Sequence, residues 1–389
     1  MDTDAAATDH LAFPATVGVL VEKFRAQEAW YRSADYNEAQ LRQDFLNPFL
    51  EALGWDLQNR DQLAENQREV IYEDRVKVGS LTKAPDYGFR LAGKRRFFVE
   101  AKKPSENIQL SARHAYQLRR YGWSADLPLC ILTDFEEFSV YDCRIRPDEA
   151  DAASIARVFT MRYEDYERRW TDIAGRFSRA AVLTGAFDEF ADASKSKRGT
   201  ETVDKAFLAD LESWREQLAR HLALRNKQLS VRELNEAVQK LLDRVIFLRI
   251  CEDRGIEAYG QLQALINGTG VYARLCERFQ RADARYNSGL FHFKEERGRS
   301  TAPDTWALQL VVDDRPLKEI IRKLYYPASP YEFAVIPAEL LGQVYERFLG
   351  KVIRLTPGGQ AKVEEKPEVR KAGGVFYTPT YIVESIVDH

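Results

Sequence analysis

Between residues 36 and 56 the apolar positions fall at 41, 45, 46, 49, 50 and 53, which is helical spacing, and Gly54 supplies a stop. The period then changes. Residues 84–104, Ala-Pro-Asp-Tyr-Gly-Phe-Arg-Leu-Ala-Gly-Lys-Arg-Arg-Phe-Phe-Val-Glu-Ala-Lys-Lys-Pro, predict a β-hairpin turning at Gly93. Residues 109–123 return to helical spacing, and 127–133 and 137–141 are strand candidates. Residues 190–202 are polar, small and charged, which marks a domain boundary. Beyond it the chain turns helical. Residues 202–224 are periodic, and Ser230-Val-Arg-Glu233 is a capping box whose helix carries Leu234, Val238, Leu241, Leu242, Val245 and Leu248 on one stripe. Pro337 to Gly350 predicts a further helix, proline in its first turn and glycine at its stop, followed by a linker or loop over 356–372.

The hairpin holds the chemistry. Antiparallel pairing about Gly93 puts Asp86 opposite Glu100, with Cβ atoms roughly 5 Å apart. Lys102 lies two residues beyond Glu100, so strand alternation keeps it on the same face. Two carboxylates this close repel, and a divalent cation with oxygen ligands relieves them. The alternative is an exposed hairpin whose acids pair with Lys102, Arg95 or Arg96. Val99 and Ala101 alternate with the charged residues and Phe97 and Phe98 make the strand apolar on both faces, so the acids are expected to be buried and coordinated.

Pro85-Asp86 and Glu100-Ala101-Lys102 resemble the two motif halves of the PD-(D/E)xK nuclease superfamily. Residues 36–56 resemble the first helix of restriction-enzyme nuclease domains, which ends in a similar Leu-Gly-Trp and carries a glutamate near its start, matched here by Glu38. Glu38 reads equally well as a solvated first-turn acid that suits the helix dipole. Gln117-Leu-Arg-Arg-Tyr121 resembles the Gln-x-x-x-Tyr motif that follows the core of type I restriction and RecB-like nucleases, with both residues on one helical face. The resemblance implies that Asp86 and Glu100 hold Mg²⁺ or Mn²⁺, helped by the Ala101 carbonyl and by Glu38. It further implies that Lys102 activates water or offsets phosphate charge, and that Gln117 and Tyr121 support the site or touch DNA.

Composition narrows the remainder. At 389 residues, 45% hydrophobic and 30% charged, the chain predicts two or three soluble domains. No apolar run approaches a membrane span, no signal pattern opens the chain, and residues 1–13 are expected to form a loose tail. Cys130, Cys143, Cys251 and Cys276 form no CxxC pair, which argues against a zinc site or disulfide framework and fits a reducing cytoplasm. The net charge of −3 does not advertise nucleic-acid binding. Lys94, Arg95, Arg96, Lys102 and Lys103, with Arg113, Arg119 and Arg120 on the next helix, nevertheless suggest local phosphate attraction, whereas Lys195-Ser-Lys-Arg198 reads as a solvated run.

Arg244 to Gly255 resembles a helix between the nuclease and methyltransferase of restriction–modification polypeptides, with Arg249, Glu252, Asp253 and Arg254 expected as interhelical ion pairs. Tyr286 to His292 also resembles a segment of these proteins. Gly373-Gly-Val-Phe-Tyr-Thr-Pro379 predicts a capped helix start and resembles the opening motif of γ-class adenine-N6 methyltransferases, implying S-adenosylmethionine contacts from Phe376, Tyr377, Thr378 and Pro379. The later methyltransferase motifs and a P-loop are absent, so a longer polypeptide is expected.

The expected architecture is an α+β PD-(D/E)xK restriction-endonuclease-like domain followed by an all-α connector. It is laid out as a tail and helix (1–30), nuclease (31–190), connector (200–355), and linker with a methyltransferase start (356–389). The expected function is Mg²⁺-dependent cleavage of double-stranded DNA within a single-chain restriction–modification enzyme of type IIG or type I-like organisation. Its partners would be DNA, the remainder of its own polypeptide, and a second copy for cleavage. Two other readings stay open: a phage-defence methyltransferase whose nuclease-like domain only binds DNA, and a non-catalytic interaction module.

Overall fold

The structure, a computed structural model, describes residues 11–72, 77–78, 81–82, 84–196, 200–286, 289–295, 302–356 and 361–365. It separates into two compact units, 1–76 with 82–202, and 77–81 with 203–389.

The first unit is built on a six-stranded mixed sheet whose spatial order follows the chain. Its strands are β1 (Val70–Tyr72), β2 (Tyr87–Leu91), β3 (Lys94–Ala101), β4 (Leu129–Thr133), β5 (Glu137–Asp142) and β6 (Arg157–Arg162). The pair β3–β4 is parallel and the other neighbours are antiparallel. A parallel pair needs a crossover, and the helix Ala112–Ser124 supplies it. On one face, Phe97, Val99, Ala101, Leu129, Ile131, Phe138 and Val140 join a core with residues of the helices Ala15–Ala26, Asn47–Ala52 and Tyr166–Phe177. The crossover helix covers β3 and β4, so β3 is buried from Phe97 to Ala101, as its run of apolar residues predicts.

Helix Ala15–Ala26, set apart from residues 31–190 in the sequence reading, belongs to this core. Val17, Leu20, Val21 and Phe24 recur at helical spacing and are buried, and Phe24 stacks on Tyr31 at 5.5 Å. The helix expected across 36–56 is not uniform. Asn37 caps Glu38–Leu41 with a capping box, Arg42–Leu46 is π-helical, and Asn47–Ala52 resumes the α-helix. A π-turn adds a residue per turn, which periodicity cannot detect in so short a stretch.

The hairpin turns on two residues rather than on Gly93 alone. Ala92 and Gly93 have φ of 50° and 74°, the all-positive loop whose twist suits flanking strands. Leu91 pairs with Lys94 and Arg90 with Arg95, while Phe89 pairs with Phe97. The bulge at Arg96 absorbs the extra residue and re-aligns Tyr87 with Val99, so Asp86 and Glu100 remain adjacent across the pair.

The second unit centres on two 23-residue helices, Val203–Arg225 and Val231–Asp253, joined by Val271–Tyr286, Asp314–Arg322 and Ala338–Leu349. The Ser230–Glu233 capping box forms in both directions. The unit is not all helical: Lys351–Leu355 and Ala361–Glu365 pair as an antiparallel hairpin, so part of the expected linker is a strand. Asn235 holds the first of these strands, bonding both the amide and the carbonyl of Ile353. Charge balance hid this hairpin, because Lys362, Glu364 and Glu365 make it resemble a loop.

Candidate active site

Asp86 enters the sheet one residue before β2 and its carboxylate crosses to β3. Its Oδ2 accepts the Ala101 amide at 2.7 Å and its Oδ1 accepts Arg42 Nη1 at 3.0 Å. Glu100 projects from β3 toward the crossover helix and is 3% exposed. Its Oε1 accepts Lys102 Nζ at 2.7 Å and Gln117 Nε2 at 2.8 Å. Lys102 Nζ also donates to the Ala101 carbonyl at 2.9 Å and lies 3.7 Å from Glu38 Oε1. Gln117 and Tyr121, one turn apart, face each other at 3.4 Å. Asp86, Glu100, Ala101, Lys102, Gln117 and Tyr121 therefore converge, and Glu38 reaches the group through Lys102.

Electrostatics follow from burial. Burial and the Asp86 carboxylate raise the Glu100 carboxyl to about 8 in spite of the adjacent ammonium. Burial also raises Asp86 and Glu38 above the ordinary carboxylate range. Burial acts to lower Lys102, yet Glu100, Glu38 and Asp86 together outweigh it and hold the ammonium charged. A buried acid next to a persistently charged lysine is an arrangement in which a further cation would change protonation.

The donor chemistry suits a hard divalent cation: two carboxylates and a backbone carbonyl, all oxygen. Glu100 Oε2 is buried and has no hydrogen-bond partner, which is the open position such a cation would take. Among the described residues no three Asp, Glu, His or Cys side chains group as metal ligands, so Glu38 is not part of a ready three-carboxylate cluster. The Lys102 ammonium stands beside it instead.

Three neighbours were invisible in the sequence reading. Arg42 sits in the π-helical turn, four residues after Glu38, and is the ion-pair partner of Asp86. Glu106 follows Lys102 by one short loop and pairs with His114, which lies three residues before Gln117 on the same helix face. The i, i+3 spacing to Gln117 and the i, i+4 spacing to Glu38 could have flagged His114 and Arg42, whereas nothing local flags Glu106.

The expected basic patch is dispersed. Lys94 and Arg95 sit at the turn end of β3, roughly 16–20 Å along the strand from Glu100. Arg96 pairs with Asp188 at 2.5 Å. Arg119 is 1% exposed and serves Asp151 at 2.6 Å and the carbonyls of Ile145 and Arg146, and Arg120 is buried. A helix packed on a sheet must turn some of its residues inward, and Leu118, Arg119 and Arg120 all do so. Lys103 and Arg113 keep solvent access near the site. Lys197 and Arg198 lie outside the described residues, as do Phe376, Tyr377, Thr378 and Pro379. In the second unit, the Arg249–Asp253 pair at 2.6 Å runs along one helix rather than between helices. Glu252 accepts the Gly260 and Leu262 amides and the Tyr325 hydroxyl. No described helix is long and apolar enough to cross a membrane.

Residues 35–149 match the family described as type I restriction enzyme R protein N terminus (HSDR_N). Over 372 residues the chain is 35% identical to the type II restriction enzyme and methyltransferase RM.Eco57I of Escherichia coli, covering 95% of this chain and 36% of that protein. It thus spans about a third of the length of the curated relative it matches. The type IIG restriction endonuclease BpuSI aligns structurally over 80% of this chain and 30% of that chain, at 16% identity and a TM-score of 0.20, too low to bear on the fold. By sequence, then, this chain is similar to a restriction enzyme and methyltransferase along 95% of its length, and its match to the R protein N-terminus family encloses Asp86, Glu100, Lys102, Gln117 and Tyr121.

Proposed function

We propose that the first unit is a PD-(D/E)xK-type, Mg²⁺-dependent DNA endonuclease within a single-chain restriction–modification enzyme of type IIG-like organisation, whose full polypeptide also methylates adenine N6 with S-adenosylmethionine. The observation that carries this reading is the gathering of Asp86, Lys102 and Gln117 at Glu100, whose Oε1 takes Lys102 and Gln117 and whose buried Oε2 has no partner. Its position inside the matched residues 35–149 supports the substrate class.

Asp86 and Glu100 would hold the cation, with the Ala101 carbonyl as a third oxygen. The cation would supply Lewis-acid stabilisation of charge on a phosphodiester under attack by water. Lys102, kept cationic by three carboxylates, would offset the charge that develops on the scissile phosphate. Gln117 fixes the rotamer of Glu100, and the Ala101 amide fixes that of Asp86. Arg42 balances Asp86 before a cation arrives.

Asp86→Asn, Glu100→Gln and Lys102→Ala should each slow Mg²⁺-dependent plasmid cleavage at least about 100-fold. EDTA should stop the wild-type reaction, and zinc should not be required. Wild-type rates in any one variant would remove that residue from the chemistry. One observation favours the rival in which the unit only binds DNA: both Asp86 oxygens are already satisfied by protein donors. Duplex binding with no cleavage in either Mg²⁺ or Mn²⁺ would decide for that rival.

A further inference from the structure

The second unit contains a cavity of about 190 Å³ that no step of the nuclease reading uses. One wall is the helix Val271–Tyr286, which presents Arg278, Arg281 and Arg285. These positions are three and four residues apart and so share one helical face. The opposite wall comes from the segment after Asp253, with Glu257 and Gln261, and the remaining surface is apolar, from Leu248, Leu262 and Ala282.

The cations are unequally committed. Arg285 donates to the Ile256 carbonyl at 2.9 Å and pairs with Glu257 at 3.0 Å, and Tyr286 bonds the same Glu257 oxygen at 2.6 Å. Arg278 bonds the side-chain oxygen of Gln261, a neutral partner. Arg281 is exposed, and among the described residues it has neither hydrogen bond nor ion pair. Glu252 also borders the cavity, but its oxygens are taken by two backbone amides and the Tyr325 hydroxyl. Three guanidinium groups thus line the cavity with two carboxylates, and both carboxylates are already engaged, Glu252 by the amides and Tyr325 and Glu257 by Arg285 and Tyr286.

We propose that this cavity binds a phosphate ester, with Arg281 and Arg278 as its anchors and the Leu248–Leu262–Ala282 surface against the ester's organic part. Phosphate suits the site better than carboxylate. Arg278 and Arg281 lie roughly 4.5 Å apart along the helix axis, so two separate forks meet the ligand, and a phosphate offers more oxygens to separate donors than the two of a carboxylate. The ester could be a free mononucleotide or a strand phosphate, and the two sources share this chemistry. The proposal does not depend on the nuclease assignment.

Calorimetric titration of the full chain with adenosine monophosphate, inorganic pyrophosphate and a random duplex tests it. Saturable binding of the mononucleotide at or below about 1 mM is expected, weakened at least about tenfold by Arg281→Glu and by Arg278→Ala. Asp86→Asn should leave that affinity unchanged. Arg281 is exposed, so Arg281→Gln, with an unaltered melting temperature, serves as the folding control. If the duplex displaces the mononucleotide and Arg281→Glu weakens both, the source is a strand phosphate. If the duplex does not compete, it is a free nucleotide. Absence of saturation by all three probes, or affinities indifferent to Arg281→Glu and Arg278→Ala, would overturn the proposal.

Discussion

A carboxyl group raised to about 8 inside a folded unit fixes the sign of a pH effect. The folded chain holds the Glu100 proton more tightly than the unfolded chain does. The stability linked to it is complete below the ordinary carboxylate range and is lost as pH rises through about 8. The metal-free protein should therefore lose melting temperature between about pH 5 and about pH 9 by more than its Glu100→Gln variant does, because glutamine has no proton to release. Added Mg²⁺ favours the ionised form, so it should raise the wild-type melting temperature more above about pH 7 than below it. Differential scanning fluorimetry across that range checks both effects, and identical pH profiles for wild type and variant would contradict the burial argument. Glu38 and Asp86 are raised for the same reason and steepen the same trend.

At the scale of elements, the site depends on how closely the crossover helix approaches the sheet. Gly122 permits that approach: a Cβ there would stand 2.4 Å from Cys143 Sγ and 2.6 Å from Cys130 Sγ. Neither sulfur can retreat freely, since both cysteines are fully buried. Gly122→Ala should cost about 1–3 kcal/mol by overpacking. The same shift of the helix should loosen the Gln117 contact to Glu100 and lower cleavage. Restoring space with Cys143→Gly in the same chain, which removes both the Sγ and the Cβ that would stand 2.7 Å away, should recover part of both losses, read by urea denaturation and by plasmid cleavage. Full additivity of the two substitutions would show that the contact does not limit packing. The hairpin makes a related point, because the bulge at Arg96 lets a two-residue turn coexist with the Asp86–Glu100 alignment.

At the scale of the whole molecule, two separate cores imply two folding units. The second has its own buried set, including Phe207, Trp214, Leu218, Leu242, Phe279 and Leu324, and its own buried ion pairs, Arg249–Asp253 and Arg244–Asp304. Residues 203–389 expressed alone should melt cooperatively with a strongly helical circular dichroism spectrum. A non-cooperative melt would show that this core needs the first unit.

The sequence by itself determined what neighbours along the chain decide: the two periodicities, the Ser230 capping box, and the facing of Asp86 and Glu100 across a short hairpin. Two residues 14 positions apart could be paired by counting about Gly93, although the turn itself sets a register one residue off and the bulge at Arg96 restores the alignment. The tertiary structure alone decided what distant segments supply. Arg42 reaches Asp86 across 44 residues, Ala15–Ala26 joins the core, and Arg119 turns inward to Asp151 instead of outward to a ligand. Such partners depend on which faces a sheet and its helices bury against each other. Residue type records that a side chain is charged, and only packing assigns the charge to solvent, to a structural pair or to a site.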